Sequence, residues 1–178
     1  MGERRQWDRG YVQVYTGDGK GKTTAALGLA LRAAGAGLRT FIAQFVKGLQ
    51  YSELRALERF DDLIGVRRYG RSCFIEREAA PEDVAAARAG LAEARAEILS
   101  GAWDVVVLDE ANIATHFELF PVEDLLAVIA EKPDGVELVI TGRRADPRVI
   151  DAADLVTEMR EVRHYYQRGV KARKGIEC

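Results

Sequence analysis

The chain predicts an α/β fold of three layers, with a mostly parallel central sheet of five or six strands and helices on both faces. Three observations carry this. Short apolar runs alternate with stretches whose apolar residues recur at three and four, as when strands alternate with helices. The run Val105-Val106-Val107-Leu108 offers no polar residue to either face of a sheet, so it belongs in the middle of a parallel one. The first apolar run leads into a glycine-rich stretch and then an alanine-rich helical pattern, giving strand, loop and helix in succession.

In chain order, residues 1–10 are polar apart from Trp7 and read as a flexible arm; residues 11–178 read as one domain. Tyr11 to Tyr15 is the first strand, and the helix beginning near Thr24 runs to about Ala34, where Gly35 and Gly37 stop it. Arg39 to Phe45 is a second strand, broken by Lys47-Gly48. Ser52 opens a short helix through Leu54, Leu57 and Glu58, and Ile64 to Tyr69 returns as a third strand before a loop from Gly70 to Glu78. Pro81 suits the first turn of a helix whose stripe is Val84, Ala87, Leu91, Ala94 and Ile98. After Gly101 come the strand Trp103–Glu110, a helix from Pro121 through Leu125, Leu126 and Ile129, and the strand Val136–Thr141. A turn Gly142-Arg143-Arg144, a helix Pro147–Ala153 and a last strand Leu155–Met159 complete the pattern.

The glycine loop is Thr16-Gly17-Asp18-Gly19-Lys20-Gly21-Lys22-Thr23-Thr24. Glycines there let backbone N–H groups curl around phosphate oxygens, and the following helix aims the positive end of its dipole at them. Lys22 adds a mobile cation, and Thr23 a hydroxyl where such loops hold Mg²⁺. The usual spacing is G-x-x-x-x-G-K-[ST], but five residues before Gly21 stands Thr16, so this is a variant of a P-loop NTPase-like motif. Six of the 26 basic residues are lysine and two of the six lie in the loop, where a slim ammonium threads a narrow nest better than a guanidinium.

Ligands of such sheets bind outside the carboxyl ends of the strands, which gathers the loop, Asp109-Glu110 and Thr141-Gly142-Arg143 into one candidate site. Asp109 or Glu110 would order the shell of Mg²⁺; the alternative is acidic residues placed at a helix N-terminus. Arg143 would clamp phosphate oxygens, or else sit as a solvated turn residue. Lys47 faces the same crevice or the solvent. His116 and His164 lack metal-ligand spacing and read as structural, and the basic stretch Arg163–Lys174 reads as a solvated end.

A length of 178 residues suits one core, with 48% hydrophobic residues. A net charge of −2 gives no general field for nucleic acid or anionic membrane. Cys73 and Cys178 suggest neither a disulfide scaffold nor a zinc site, and the N-terminus lacks the apolar core of a signal peptide. A cytoplasmic protein without membrane or nucleic-acid partners is expected. No Ser-His-Asp or Cys-His arrangement and no G-x-S-x-G elbow can be picked out, so the nucleophile is not expected to be a protein side chain. An ATPase or small-molecule kinase, and an ATP-gated regulatory or nucleic-acid-binding module, are the other classes that a phosphate-binding loop serves.

From about Gly10 to the C-terminus the sequence closely resembles the P-loop class of ATP:corrinoid adenosyltransferases. The motifs are the glycine loop at 16–24, Gln44-Phe45-Val46-Lys47-Gly48, Val106-Val107-Leu108-Asp109-Glu110, Ile140-Thr141-Gly142-Arg143 and the ending Gly169-Val170-Lys171-Ala172-Arg173-Lys174-Gly175-Ile176. The resemblance implies transfer of the 5′-deoxyadenosyl group of ATP to the cobalt(I) of a reduced corrinoid, with triphosphate released. Cobalt is then the nucleophile, and ATP lies in reverse relative to ordinary P-loop enzymes. It implies that Gly17, Asp18, Gly19, Lys20, Gly21, Lys22, Thr23 and Thr24 cradle the triphosphate and that Arg143 and Arg32 contact the nucleotide. It also implies that Thr23 and Glu110, with Asp109, serve Mg²⁺. Lys22, Thr23, Glu110 and Arg143 are the catalytic candidates. A homodimer and a flavoprotein-type electron donor are the implied partners. Some members carry Phe and Trp after the glycine matching Gly70, to displace the lower cobalt ligand; here Arg71-Ser72-Cys73-Phe74-Ile75 follows, and Phe74 is the candidate for that role. Members also cover the partner's corrinoid with an N-terminal segment, for which this arm is short.

Overall fold

Alternation of side chains along each strand decides this architecture. A computed structural model describes residues 7–46, 52–70 and 79–177. Its strands are β1 (Val12–Thr16), β2 (Thr40–Phe45), β3 (Ile64–Tyr69), β4 (Val105–Asp109), β5 (Glu137–Thr141) and β6 (Leu155–Glu158). They form one sheet in the order β3-β2-β4-β5-β1-β6, every neighbouring pair parallel. The helices are α1 (Lys22–Gly35), α2 (Ser52–Leu57), α3 (Pro81–Leu99), α4 (Ala111–His116), α5 (Val122–Glu131) and α6 (Pro147–Asp151).

Successive side chains of a strand point to opposite faces, so each fully buried strand feeds two cores. Phe41, Ala43 and Phe45 of β2, Val106 and Leu108 of β4, and Leu138 and Ile140 of β5 meet α3, α4, α5 and α6 on one face. Ile42, Val105, Val107 and Val139 meet α1 and Leu57 of α2 on the other. Each fully enclosed Val, Leu or Ile contributes roughly 1.5–3 kcal/mol through removal of its surface from water. Because α1 presents Ala26, Ala30, Ala33 and Ala34 to the sheet, it lies close against it and holds the loop at its start over the strand ends. On α3, Gly90 faces Tyr69 at the end of β3; a β-carbon there would stand 2.2 Å from the Tyr69 ring.

Residues 7–10 are tied to the body. Trp7 rests on the α1-side core, and Gly10 N donates to Asp134 O at 2.6 Å. Lys132 Nζ donates to the carbonyls of Gly10, Pro133 and Val136, and burial pushes its pKa down.

The expected elements are present with small shifts at their ends: β1 extends to Thr16, α1 starts at Lys22 rather than Thr24, and β6 ends at Glu158. Two further elements have no counterpart in the sequence reading: α4, and a 3-10 turn at Tyr165–Arg168. Six residues are too few for α4 to show a helical period between the acidic pair and the loop that follows. Among the described residues no helix is long and apolar enough to cross a membrane.

Candidate active site

The same alternation that builds the cores places three polar side chains at the carboxyl ends of adjacent strands. Gln44 of β2, Asp109 of β4 and Thr141 of β5 each follow the residues that face α1, and each is buried. They meet on Asp109. Thr141 Oγ1 donates to Asp109 Oδ1 at 2.7 Å, Gln44 Nε2 to Oδ2 at 3.1 Å, and Thr23 Oγ1, from the first turn of α1, to Oδ1 at 2.9 Å. The fold therefore brings the glycine loop, the acidic pair and the Thr141 turn together at the strand ends.

Glu110 occupies the left-handed region at φ 64° and precedes α4, while its N–H donates to Thr141 Oγ1 at 3.0 Å. A non-glycine residue there carries strain that persists only where its surroundings fix it. Both readings of the acidic pair thus meet in one place, since the pair lies beside the loop threonine and also opens a helix. A hydroxyl and a carboxylate oxygen 2.9 Å apart, with a second carboxylate next in the chain, are hard oxygen donors of the kind Mg²⁺ takes beside phosphate and water.

In the loop, Lys22 is buried and its Nζ donates to the carbonyls of Gly17 at 2.7 Å and Gly19 at 2.6 Å. Burial pushes its pKa down; the Glu110 carboxylate opposes that shift, and the Arg143 guanidinium adds to it. Gly17 and Gly19 have a second reason to lack side chains: the backbone of Met159 lies on them, and a β-carbon at either would approach Met159 O to 2.5 or 2.6 Å. Gly19 N donates to that oxygen at 2.7 Å, and Met159 N to Thr16 O at 2.8 Å. Asp18, Lys20 and Thr24 are exposed, and Lys20 Nζ donates to Ile176 O at 3.0 Å.

Arg143 is exposed on the turn after β5. Beside that turn opens a cleft of about 710 Å³, lined by Arg88, His116, Phe120, Arg144 and Pro147 among others. His116 lies 3.3 Å from Arg144 Nη1, and His164 Nδ1 accepts from Tyr166 N at 3.1 Å; each histidine has a local partner. Arg32 is not brought to the loop. It is exposed in the last turn of α1, ten residues beyond Lys22, about 15 Å along the helix axis at 1.5 Å per residue. Lys47 and Phe74 lie outside the described residues.

The sequence placed Thr141 in the candidate site and Gln44 in a family motif, without a chemical role for either. The signal available for both was a single polar residue ending an otherwise apolar strand. The contacts of Met159 and Ile176 with the loop had no local signal.

The ATP:corrinoid adenosyltransferase BtuR/CobO/CobP family model matches residues 8–178. A corrinoid adenosyltransferase of Pseudomonas aeruginosa is 36% identical over 171 residues, covering 96% of this chain and 84% of that protein. Those of Escherichia coli strain K12 and Salmonella typhimurium are each 35% identical over 173 residues, covering 97% of this chain and 87% of the relative. With the family model matched from residue 8 to 178 and these relatives covered over most of their length, the chain belongs to the ATP:corrinoid adenosyltransferase family.

Proposed function

We propose that this enzyme transfers the 5′-deoxyadenosyl group of ATP to the cobalt(I) of a reduced corrinoid. Cobalt attacks C5′, the C5′–O bond breaks, and triphosphate leaves with the bonding pair as cobalt becomes formally cobalt(III). The observation that carries the reading is the joint placement of buried Lys22 and the Thr23–Asp109 contact, in a member of this family. Both fit a site that neutralises a polyphosphate, and a leaving triphosphate needs that more than it needs a protein nucleophile.

In this reading Gly17 to Thr24 cradle the triphosphate and Arg143 adds a bidentate donor. Thr23 and Asp109 would hold Mg²⁺, with Glu110 alongside, and the ion would supply charge neutralisation to the leaving phosphates. Gln44 and Thr141 fix the Asp109 carboxylate from both sides, so it need not reorganise as charge develops. Arg32 lies too far along α1 to join this loop within one subunit. The corrinoid approaches over the turn bearing Arg143, where the cleft opens, and Phe74 supplies the apolar contact that displaces the lower cobalt ligand. We assign the protein to the cytoplasm as a homodimer, with cobalt reduced by a flavoprotein.

Product analysis tests the reading. Purified protein with Mg²⁺-ATP and chemically reduced corrinoid should yield tripolyphosphate and a light-sensitive adenosylated corrinoid. ADP and orthophosphate in their place would make it an ATPase or kinase. Light scattering checks the dimer.

A further inference from the structure

The basic C-terminal stretch has a place in the fold that its sequence did not disclose. From 160 to 174, six of fifteen residues are Arg or Lys and one, Glu161, is acidic, in a chain of net charge −2. Both ends of this stretch are fastened to the phosphate-binding loop. At one end Met159 exchanges two backbone hydrogen bonds with Thr16 and Gly19; at the other, Ile176 O accepts from Lys20 Nζ. The stretch is also closed on itself, since Tyr165 Oη donates to Glu177 Oε1 and Arg173 bonds the same carboxylate through its backbone and guanidinium. Arg173 also lies over the Tyr165 ring, 5.1 Å from its centre.

Arg160 lies 3.7 Å from Glu158 and Arg173 is spent on Glu177, which leaves Arg163, Arg168, Lys171 and Lys174 exposed with no ion pair to another described residue. A solvated end needs neither two anchors nor an internal clasp. Cations without ion pairs, on a segment anchored at both ends to a loop built for phosphate, have a physical use: they add to Lys20, Lys22, Arg143 and Mg²⁺ in offsetting the charge of a triphosphate.

We infer that residues 160–176 form a second, cationic wall of the polyphosphate site and hold the triphosphate moiety, whether in bound ATP or as the released product. The inference rests on the phosphate-loop reading above. Lys20 is then a positioning residue that hangs the wall on the loop.

Calorimetric titration with inorganic tripolyphosphate, with orthophosphate and with Mg²⁺-ATP, each at low and high salt, tests this without any corrinoid. The triple variant Arg168→Gln, Lys171→Gln, Lys174→Gln should bind tripolyphosphate about tenfold more weakly, with a shallower salt dependence. A control with Arg59→Gln, Arg67→Gln and Arg68→Gln, toward the opposite edge of the sheet, should bind as the parent does. Weakening with Mg²⁺-ATP as well places the wall on the substrate; weakening with tripolyphosphate alone places it on the product. If the triple variant folds poorly, Lys171→Gln and Lys174→Gln taken singly should each show a loss of roughly two- to threefold. Unchanged tripolyphosphate affinity, or an equal loss in the control, overturns the inference. Because the assay is independent of adenosyl transfer, an ADP-forming enzyme with an intact wall and an adenosyltransferase without one are distinguishable outcomes.

Discussion

The two ends of β4 each carry a buried aspartate, and their partners differ in kind. Asp104 precedes the strand; its Oδ2 accepts from Arg39 N at 2.9 Å, and its backbone bonds Arg39 O and Glu137 N. Asp109 ends the strand and is held by two side-chain hydroxyls and a side-chain amide. A backbone N–H cannot turn away without unmaking the sheet, so Asp104 is a staple. Hydroxyls rotate, so Asp109 can exchange partners for a cation while the fold stays intact. Of the two buried carboxylates flanking this strand, one holds backbone and the other holds side chains that can let go of it.

Substitutions can break this contrast. Asp109→Asn should lower turnover most, by about 100-fold, with little loss of stability, since the amide keeps the shape and loses the charge; steady-state kinetics beside a urea melt check it. Asp104→Ala should do the reverse. It leaves Arg39 N without its acceptor and costs roughly 1–3 kcal/mol of stability in a urea melt, while kcat holds. Thr141→Val keeps volume but removes the bridge between Asp109 and Glu110 N, and should cost about tenfold in Mg²⁺ affinity, read by titrating the metal in a nucleotide-binding assay.

The smallest effect concerns pH. The folded pKa of Lys22 lies below its ordinary value of 10.5, so between the folded and unfolded values the unfolded chain holds more protons, and this residue's contribution to stability rises with pH. Nucleotide affinity moves the other way as the ammonium is lost. Its decline should begin below 10.5 in the parent, and should be absent in Lys22→Arg, whose guanidinium stays charged.

The layered fold was legible because each determinant is local. Val105 to Leu108 has no polar residue to expose, the α3 stripe repeats at three and four, and glycines end α1. The loop was legible for the same reason, since Lys22 and Thr23 are fixed by spacing against Gly21. What escaped depends on long-range approach. Thr141 meets Asp109 only because β4 and β5 are neighbours, with Leu108 opposite Ile140. Ile176 reaches Lys20 across 156 residues. Arg32 shows the converse: helical spacing alone already sets it about 15 Å from the loop.

Gly90 sits within a nineteen-residue helix, where alanine would add roughly 1 kcal/mol of helix propensity. The Tyr69 ring forbids that gain, because the β-carbon would enter it at 2.2 Å. Tyr69 is the last residue of β3, one before Gly70 and the stretch that carries Phe74. Any residue larger than glycine would therefore push on the end of β3. Position 90 thus couples α3 to the end of β3: the helix gives up propensity so that the Tyr69 ring can close against its backbone.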